Sequence, residues 1–177
     1  VTLPNKDSIM QRSFFAVLLT LALSCSAFAA DQAPARMPVL DIAQTVVKTP
    51  LAKGVSMDDA VESMKIRANK LNIKLVAEMP LSKQIEAMGE KSRRMDIYQF
   101  CDPLTAKKMV EYDINFSAYL PCRIALVEDA KGQGWLVMMN LDMFIQDPKL
   151  GTALKGDAIK VRDTLNEIMQ AGAKGEW

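Results

Sequence analysis

Histidine is absent from this chain of 177 residues. Without histidine the chain cannot form a Ser-His-Asp triad, a Cys-His dyad, an HExxH zinc site or a histidine-ligated haem. The three cysteines, Cys25, Cys101 and Cys122, also lack the CxxC spacing in which one thiol attacks and the other resolves. Most familiar hydrolase, metalloenzyme and dithiol chemistry is therefore excluded or disfavoured.

An excess of either charge is also missing. The chain has 22 basic and 21 acidic residues, and its basic residues form no stripe along any segment. Nucleic-acid binding needs clustered Lys and Arg that displace counterions, and docking on anionic lipid needs a similar cluster. We therefore expect neither nucleic acid nor an anionic lipid surface as the partner.

The chain has no apolar run long enough to cross a bilayer. Its longest such run, Phe14–Leu23, follows Arg12 and precedes the small-residue sequence Ala27-Phe28-Ala29. This pattern is typical of a secretory signal peptide cleaved near Ala29. We therefore predict a periplasmic or secreted protein with no transmembrane span.

Several boundaries follow from this interpretation. We predict a signal peptide over residues 1–29, in which residues 1–9 are an extension before Met10, and a mobile arm over residues 30–44. A single domain then covers residues 45–172, and residues 173–177 form a tail. Lipidation at Cys25 is disfavoured because Ala22 and Leu23 do not fit a lipoprotein site.

Hydrophobic periodicity predicts an α+β fold. The expected order is strand, helix, strand, short helix, strand, helix, a pair of strands and a closing helix. We expect the last strand to run over residues 135–145, and the closing helix to end before Gly172. A curved antiparallel sheet with its helices packed on one face fits this order best.

The array of motifs from Tyr98 to Phe144 resembles the domain-of-unknown-function 302 family. The matching features are a strand ending in Cys-Asp-Pro before a helix, Leu-Pro-Cys-Arg opening a strand, and the turn sequence "VEDAKG". The segment "GVSMDDAVESMKIRANKLNIKLVAEMPLS" ahead of them also matches. The resemblance covers roughly residues 45–172. It implies a TATA-binding-protein-like α+β fold, often a homodimer, and no established activity.

Cys101 and Cys122 are the first candidate site, and three uses remain open for them. If their strands are antiparallel neighbours, both lie at one sheet end, where strands about 4.8 Å apart suit a disulfide with Cα separations of roughly 4.4–6.8 Å. Such a crosslink or a redox-active pair is the first use. Two unlinked buried thiols are the second, and metal ligation is the third.

The residues beside the cysteines have alternative interpretations. Asp102-Pro103 is typical of a helix start, with Asp102 as the cap. The same helix terminus would also lower a neighbouring thiol pKa or hold a small anion. Arg123, together with Arg93 and Arg94, is a candidate carboxylate-binding group. The alternative is that these arginines are solvated or paired with a local acid such as Glu128 or Asp129.

Aromatic and sulfur side chains supply the remaining candidates. Tyr98 and Tyr119 either pack in the core or line a ligand pocket. Met109 and Met138, together with the two cysteines, are candidate Cu(I) ligands because soft ligands select that ion. However, methionine is also a common core residue.

Together these patterns predict a non-catalytic protein that needs no cofactor and binds an unidentified small molecule or protein partner. The site is expected at the sheet end that carries Cys101, Asp102, Cys122 and Arg123. A thiol-dependent redox protein that uses both cysteines and a Cu(I) carrier are the alternatives.

Overall fold

A computed structural model describes residues 41–148 and 150–177. The predicted signal peptide, the extension before Met10, Cys25 and most of the predicted arm lie outside the described residues. Within the described part, no helix is long and apolar enough to cross a membrane.

Five strands form one antiparallel sheet in the order β1-β5-β4-β3-β2. The strands are β1 (Val46–Pro50), β2 (Lys74–Met79), β3 (Met95–Cys101), β4 (Cys122–Glu128) and β5 (Gly134–Met139). The predicted α+β class and the antiparallel sheet are confirmed.

In residues 41–148 and 150–177, five α-helices and two short 3-10 helices connect and cover these strands. The α-helices are α1 (Met57–Lys70), α2 (Leu81–Ala87), α3 (Pro103–Tyr112), α4 (Asp142–Ile145) and α5 (Thr152–Lys174), and the 3-10 helices are Ile42–Thr45 and Ile114–Tyr119. α1 begins as its capping pattern predicts, because the Ser56 hydroxyl oxygen accepts a hydrogen bond of 3.0 Å from the Asp59 backbone N–H.

The core lies between one face of the sheet and helices α1 and α5. Alternate strand residues point to this covered face, and several of them are fully buried. These buried strand residues are Tyr98, Phe100, Ile124, Leu126, Leu136 and Met138. The helices contribute Met64, Leu165, Ile168 and Met169 to the same cluster.

The opposite face of the sheet, which we call the open face, is apolar but not buried. Ile97, Ala125 and Val137 lie side by side across its three central strands, and all three are half-buried. Met79, Met95 and Met139 are 37–38% exposed on the same face. The open face therefore leaves apolar surface accessible in the described part of the chain.

The predicted end of the last helix is wrong. Gly172 lies inside α5, which continues to a left-handed cap at Gly175 with φ of 67°. Here glycine allows a close approach of two helices: a Cβ at this position would lie 2.5 Å from Met64 Cγ and 3.0 Å from the Ala60 carbonyl oxygen. The helix also includes two residues of the predicted tail, of which Ala173 is buried.

The predicted extension of the last strand is also wrong. β5 ends at Met139, and Met143 lies in the short helix α4 instead of continuing the strand. The Asn140 side-chain oxygen accepts a hydrogen bond of 3.1 Å from the Asp142 backbone N–H, which turns the chain at this point. The local polar group thus overrides the apolar pattern around it.

Candidate functional site

β3 and β4 bring the two cysteines to the same end of the sheet. The strands are antiparallel neighbours, with Phe100 directly opposite Cys122, so Cys101 is offset by one residue from that pair. We call this region, where β3 and β5 end and β4 begins, the Cys122 end. Of the arrangements left open by the sequence, the structure thus has the antiparallel one.

Cys101 and Cys122 are close to each other and carry free thiols in the structure. Both line a small cavity of about 30 Å³ under α5. Burial raises the pKa of Cys122 to about 11, and the neighbouring Cys101 adds to the increase. Burial also raises the pKa of Cys101, with a further contribution from the Asp102 carboxylate. The predicted disulfide stays a prediction.

These electrostatics do not favour a reactive thiolate. Catalytic and redox-active cysteines have lowered pKa values, because the thiolate is the nucleophile. Cys101 and Cys122 show the opposite direction, although Cys101 immediately precedes a helix N-terminus.

Asp102 caps α3, as its sequence pattern predicts. Its carboxylate accepts hydrogen bonds of 3.1 Å from the Leu104 backbone N–H and 2.8 Å from the Thr105 hydroxyl. The Thr105 bond, followed by the backbone bonds, lowers the pKa of Asp102. The helix terminus is thus occupied by its own carboxylate, which does not favour anion binding there.

Arg123 is an exposed cation at the Cys122 end. No carboxylate in residues 41–148 or 150–177 forms an ion pair with its guanidinium. Its strand register places it opposite Gln99, on the open face.

The predicted grouping of Arg123 with Arg93 and Arg94 is wrong. Met95, which follows Arg94, pairs with Val127 near the end of β4, whereas Arg123 lies near its beginning. Arg94 is also paired with Asp58 at 2.6 Å and with Asp96 at 2.5 Å. The antiparallel register therefore separates these arginines to opposite ends of the sheet.

A groove of about 520 Å³, which we call the Arg123 groove, runs from the open face around the Cys122 end. Its lining comes from the open face, the covered face and the segments that flank β4 and β5. The lining residues are Thr45, Val46, Ile97, Tyr119, Cys122, Arg123, Ala125, Val137, Met138, Met139, Leu141, Met143, Phe144 and Leu165. Among the described residues, Arg123 is the one charged group in this lining.

The groove contains Tyr119, Cys122 and Arg123 but not the other predicted ligand-binding residues. Cys101 and Asp102 line the small cavity under α5 instead. Tyr98 is 4% exposed, and it lines a polar cleft with Arg94, Asp96 and Glu78. Burial, the largest effect there, raises the pKa of the Tyr98 hydroxyl. The sequence thus predicted the location of the groove, but only part of its lining.

The sulfur atoms proposed as Cu(I) ligands are spread over different environments. Met138 lines the Arg123 groove, whereas Met109 lines a separate apolar cavity beneath Tyr119. Cys122 borders both spaces, and Cys101 borders neither. In the part of the chain that the structure describes, no group of three or more His, Cys, Asp or Glu side chains could hold a metal ion.

Comparison with known proteins identifies the family. The profile of the family named "Domain of unknown function DUF302" matches residues 47–172, which is well over half of the chain. The chain belongs to the DUF302 family. A comparison with curated proteins gives no match.

The fold of this DUF302 chain is similar to a solved structure. That structure is described as an uncharacterized conserved protein DUF302 from Bacillus stearothermophilus. The two chains share 16% sequence identity and a TM-score of 0.60, with 72% of this chain and 97% of the other covered. At this identity the likeness supports the shared fold alone.

Most of the residues that line the groove in this DUF302 protein were not predicted from its sequence. The strand sequences "RIALV" and "WLVMM" are almost continuously apolar, instead of alternating with polar residues. Such runs indicate strands that are apolar on both faces. That signal, applied to Ala125 and Val137, would have predicted an apolar open face next to Arg123.

Proposed function

We propose that this protein, once exported and cleaved near Ala29, binds a small anionic molecule with an apolar body in the Arg123 groove. We propose no reaction on the bound molecule. The observation that carries this proposal is the exposed Arg123 guanidinium, which forms no ion pair with residues 41–148 or 150–177 and lies at the edge of an otherwise apolar groove.

The chemistry of the groove supports this class of ligand. Its volume of about 520 Å³ lies within the range of roughly 300–1,000 Å³ that small-molecule sites occupy. Ile97, Ala125 and Val137 offer apolar contact, and their burial by a ligand would release water. The Arg123 guanidinium can form two parallel hydrogen bonds with a carboxylate. A carboxylate on an apolar body matches both features.

Titration calorimetry with octanoate and octylammonium tests this proposal. The two probes have the same alkyl chain and opposite charges. We expect octanoate to bind at one site per chain and octylammonium to bind at least tenfold more weakly. Equal affinities, or no binding of octanoate, would contradict the proposal.

Export is the second part of the proposal, and it depends on residues 10–29. The expected product in the periplasm or medium begins at Ala30 or Asp31. Intact mass measurement of the protein purified from each compartment tests this expectation. An uncleaved chain confined to the cytoplasm would contradict it.

A homodimer is the competing use of the open face. The family resemblance predicts it, and the exposed Met79, Met95 and Met139 support it because apolar surface is often covered on association. If a second copy covers the Arg123 groove, octanoate should lower the dimer fraction in sedimentation velocity. If octanoate binds with no effect on association, the groove and the dimer contact are separate.

Thiol redox chemistry and Cu(I) carriage remain alternative predictions for the cysteine pair. Alkylation of the unfolded protein without reduction, followed by mass measurement, distinguishes two free thiols from a disulfide. Purification with Cu(I) under reducing conditions, followed by metal analysis, tests the carrier hypothesis. Retention of less than one copper per chain would contradict it.

A further inference from the structure

A second apolar space lies directly behind the Arg123 groove. This inner cavity has a volume of about 40 Å³, and no charged residue of the described chain lines it. Its lining residues are Met109, Phe116, Tyr119, Cys122, Leu141, Phe144, Ile145, Ala158 and Val161. They come from α3, α4, α5, β4 and the connections between them.

The groove and the inner cavity share four wall residues. Tyr119, Cys122, Leu141 and Phe144 line both spaces, so these residues lie between them. The rings of Tyr119 and Phe144 are in contact, with centroids 4.5 Å apart and planes inclined by 55°. Because Tyr119 is 41% exposed, its ring has solvent on one side into which it can rotate.

We propose that the ligand of the Arg123 groove is a free single-chain alkyl carboxylate, whose chain end enters the inner cavity between Tyr119 and Phe144. The carboxylate binds Arg123 at the outer end, and the alkyl chain lies along the apolar groove. This inference rests on the proposed function, because it assigns the ligand class of the same site.

The size of the inner cavity selects an alkyl chain over a ring. A cavity that holds benzene measures about 150 Å³. The inner cavity, at about 40 Å³, has space for a few carbon atoms of a chain end but not for an aromatic ring. Its apolar lining likewise excludes a polar chain end, because an unpaired polar group would lose its hydrogen bonds to water.

The test is the dependence of affinity on chain length. We would titrate the full mature chain with carboxylates of 6 to 14 carbons, the probes of this experiment. Each added carbon that leaves water should increase affinity about fourfold until the inner cavity is full. Beyond that length the affinity should stop rising, because further carbons have no apolar space.

Ala158→Leu tests the entry of the chain into the cavity. Ala158 lines the inner cavity and is 6% exposed, so the larger side chain fills that space. The plateau should then occur at a chain length shorter by about two carbons, while the affinity for hexanoate stays unchanged. Ala153→Leu is the matched control: Ala153 is exposed on the same helix, so its plateau should equal that of the unmodified protein.

Ile145→Val tests the same inference in the opposite direction. Ile145 also lines the inner cavity, and removal of one methyl group enlarges it with little risk to folding. The plateau should move to a longer chain. This variant keeps the proposal testable if Ala158→Leu does not fold.

The outcomes separate the two proposals. If carboxylates bind and the plateau is the same in all variants, the chain does not enter the inner cavity, and this inference is wrong while the proposed function stands. If no carboxylate binds the unmodified protein, both are wrong. Sedimentation with phosphatidylglycerol vesicles adds one arm: stronger binding to vesicles than to free carboxylates would contradict the free-ligand class.

Discussion

An arginine lies beside each end of β4, but the surroundings of these two arginines, Arg94 and Arg123, differ. Arg94, next to the end of β4, is bound by Asp58 and by the buried Asp96. Arg123, at the beginning of β4, has no ion pair in the described part of the chain and borders an apolar groove. One arginine thus completes a structural network, whereas the other remains available to a ligand.

The spaces at the two ends of the sheet also differ in the polarity of the residues that line them. The opposite end of the sheet, which carries Arg94, has clefts lined by charged residues and is linked by polar contacts: the Ser82 hydroxyl donates a hydrogen bond of 3.0 Å to Asp96, and Trp135 Nε1–H donates one of 3.0 Å to Asp129. At the Cys122 end, three spaces surround Cys122. The two ends therefore differ in the polarity of their spaces, which is why we place the proposed ligand at the Cys122 end.

The largest expected effect is at the Arg94 end. Asp96→Ala removes a carboxylate that is 2% exposed and leaves the Arg94 guanidinium and the buried Ser82 hydroxyl without that partner. Loss of one member of a buried, hydrogen-bonded ion pair lowers the free energy of unfolding by about 3 kcal/mol. Urea denaturation monitored by circular dichroism measures the change.

Asp163→Ala is the control for that experiment. Asp163 also binds an arginine, Arg162, at 2.8 Å, but its side chain is 61% exposed. An exposed pair contributes less than about 1 kcal/mol. Equal losses in the two variants would contradict the structural role of the Asp96 network.

A second stability effect is expected where α5 crosses α1. Gly172→Ala puts a Cβ 2.5 Å from Met64 Cγ, and such overpacking costs about 2 kcal/mol. Gly156→Ala is the matched control, since it lies on the same helix with no atom within 4 Å of its added Cβ. We expect it to raise the free energy of unfolding by about 0.5 kcal/mol, because alanine favours the helix. A gain of stability in both variants would show that the close helix crossing is absent.

The free energy of unfolding should also decrease in alkaline solution. The pKa of Cys122 is raised from 9.0 to about 11 in the folded protein. The folded state therefore holds this proton more tightly than the unfolded state, and the resulting stability is complete below about pH 9. It is lost as the pH rises from about 9 to about 11.

Cys122→Ala isolates that contribution from the other effects of alkaline pH. Urea denaturation at pH 8, 9, 10 and 11 should show a steeper loss of stability in the unmodified protein than in the variant. Identical slopes would mean that the Cys122 thiol is not protected by burial.

The sequence carried enough information for the fold class and for several helix starts. Pairs such as Ser56 with Asp59, and Asp102 with Pro103, fixed the helix starts because they satisfy local backbone groups. Cys101 and Cys122 share one sheet end because β3 and β4 are antiparallel, an arrangement that the sequence left open. Such local and near-local signals are readable without coordinates.

Other features depend on contacts between distant segments. Gly172 resembled a helix end, yet it lies at a crossing with Ala60 and Met64 that only the tertiary structure defines. Arg94 and Arg123 are the same residue type. Arg94 differs in its surroundings because Asp58, in helix α1, lies close enough to pair with it. The strand register and the helix packing therefore determine the surroundings of Gly172, Arg94 and Arg123, which the residue types alone do not predict.

The most direct test of Arg123 as the ligand-binding group is octanoate binding to Arg123→Gln, with Arg93→Gln as the control, measured by titration calorimetry. Arg93 is also exposed, but it lies at the opposite end of the sheet from Arg123. Since a hydrogen-bonded contact to a charged group contributes about 1.5 kcal/mol or more, Arg123→Gln should weaken binding about tenfold. Arg93→Gln should leave the affinity unchanged. Equal affinities for octanoate in both variants would contradict the assignment of Arg123 as the ligand-binding group.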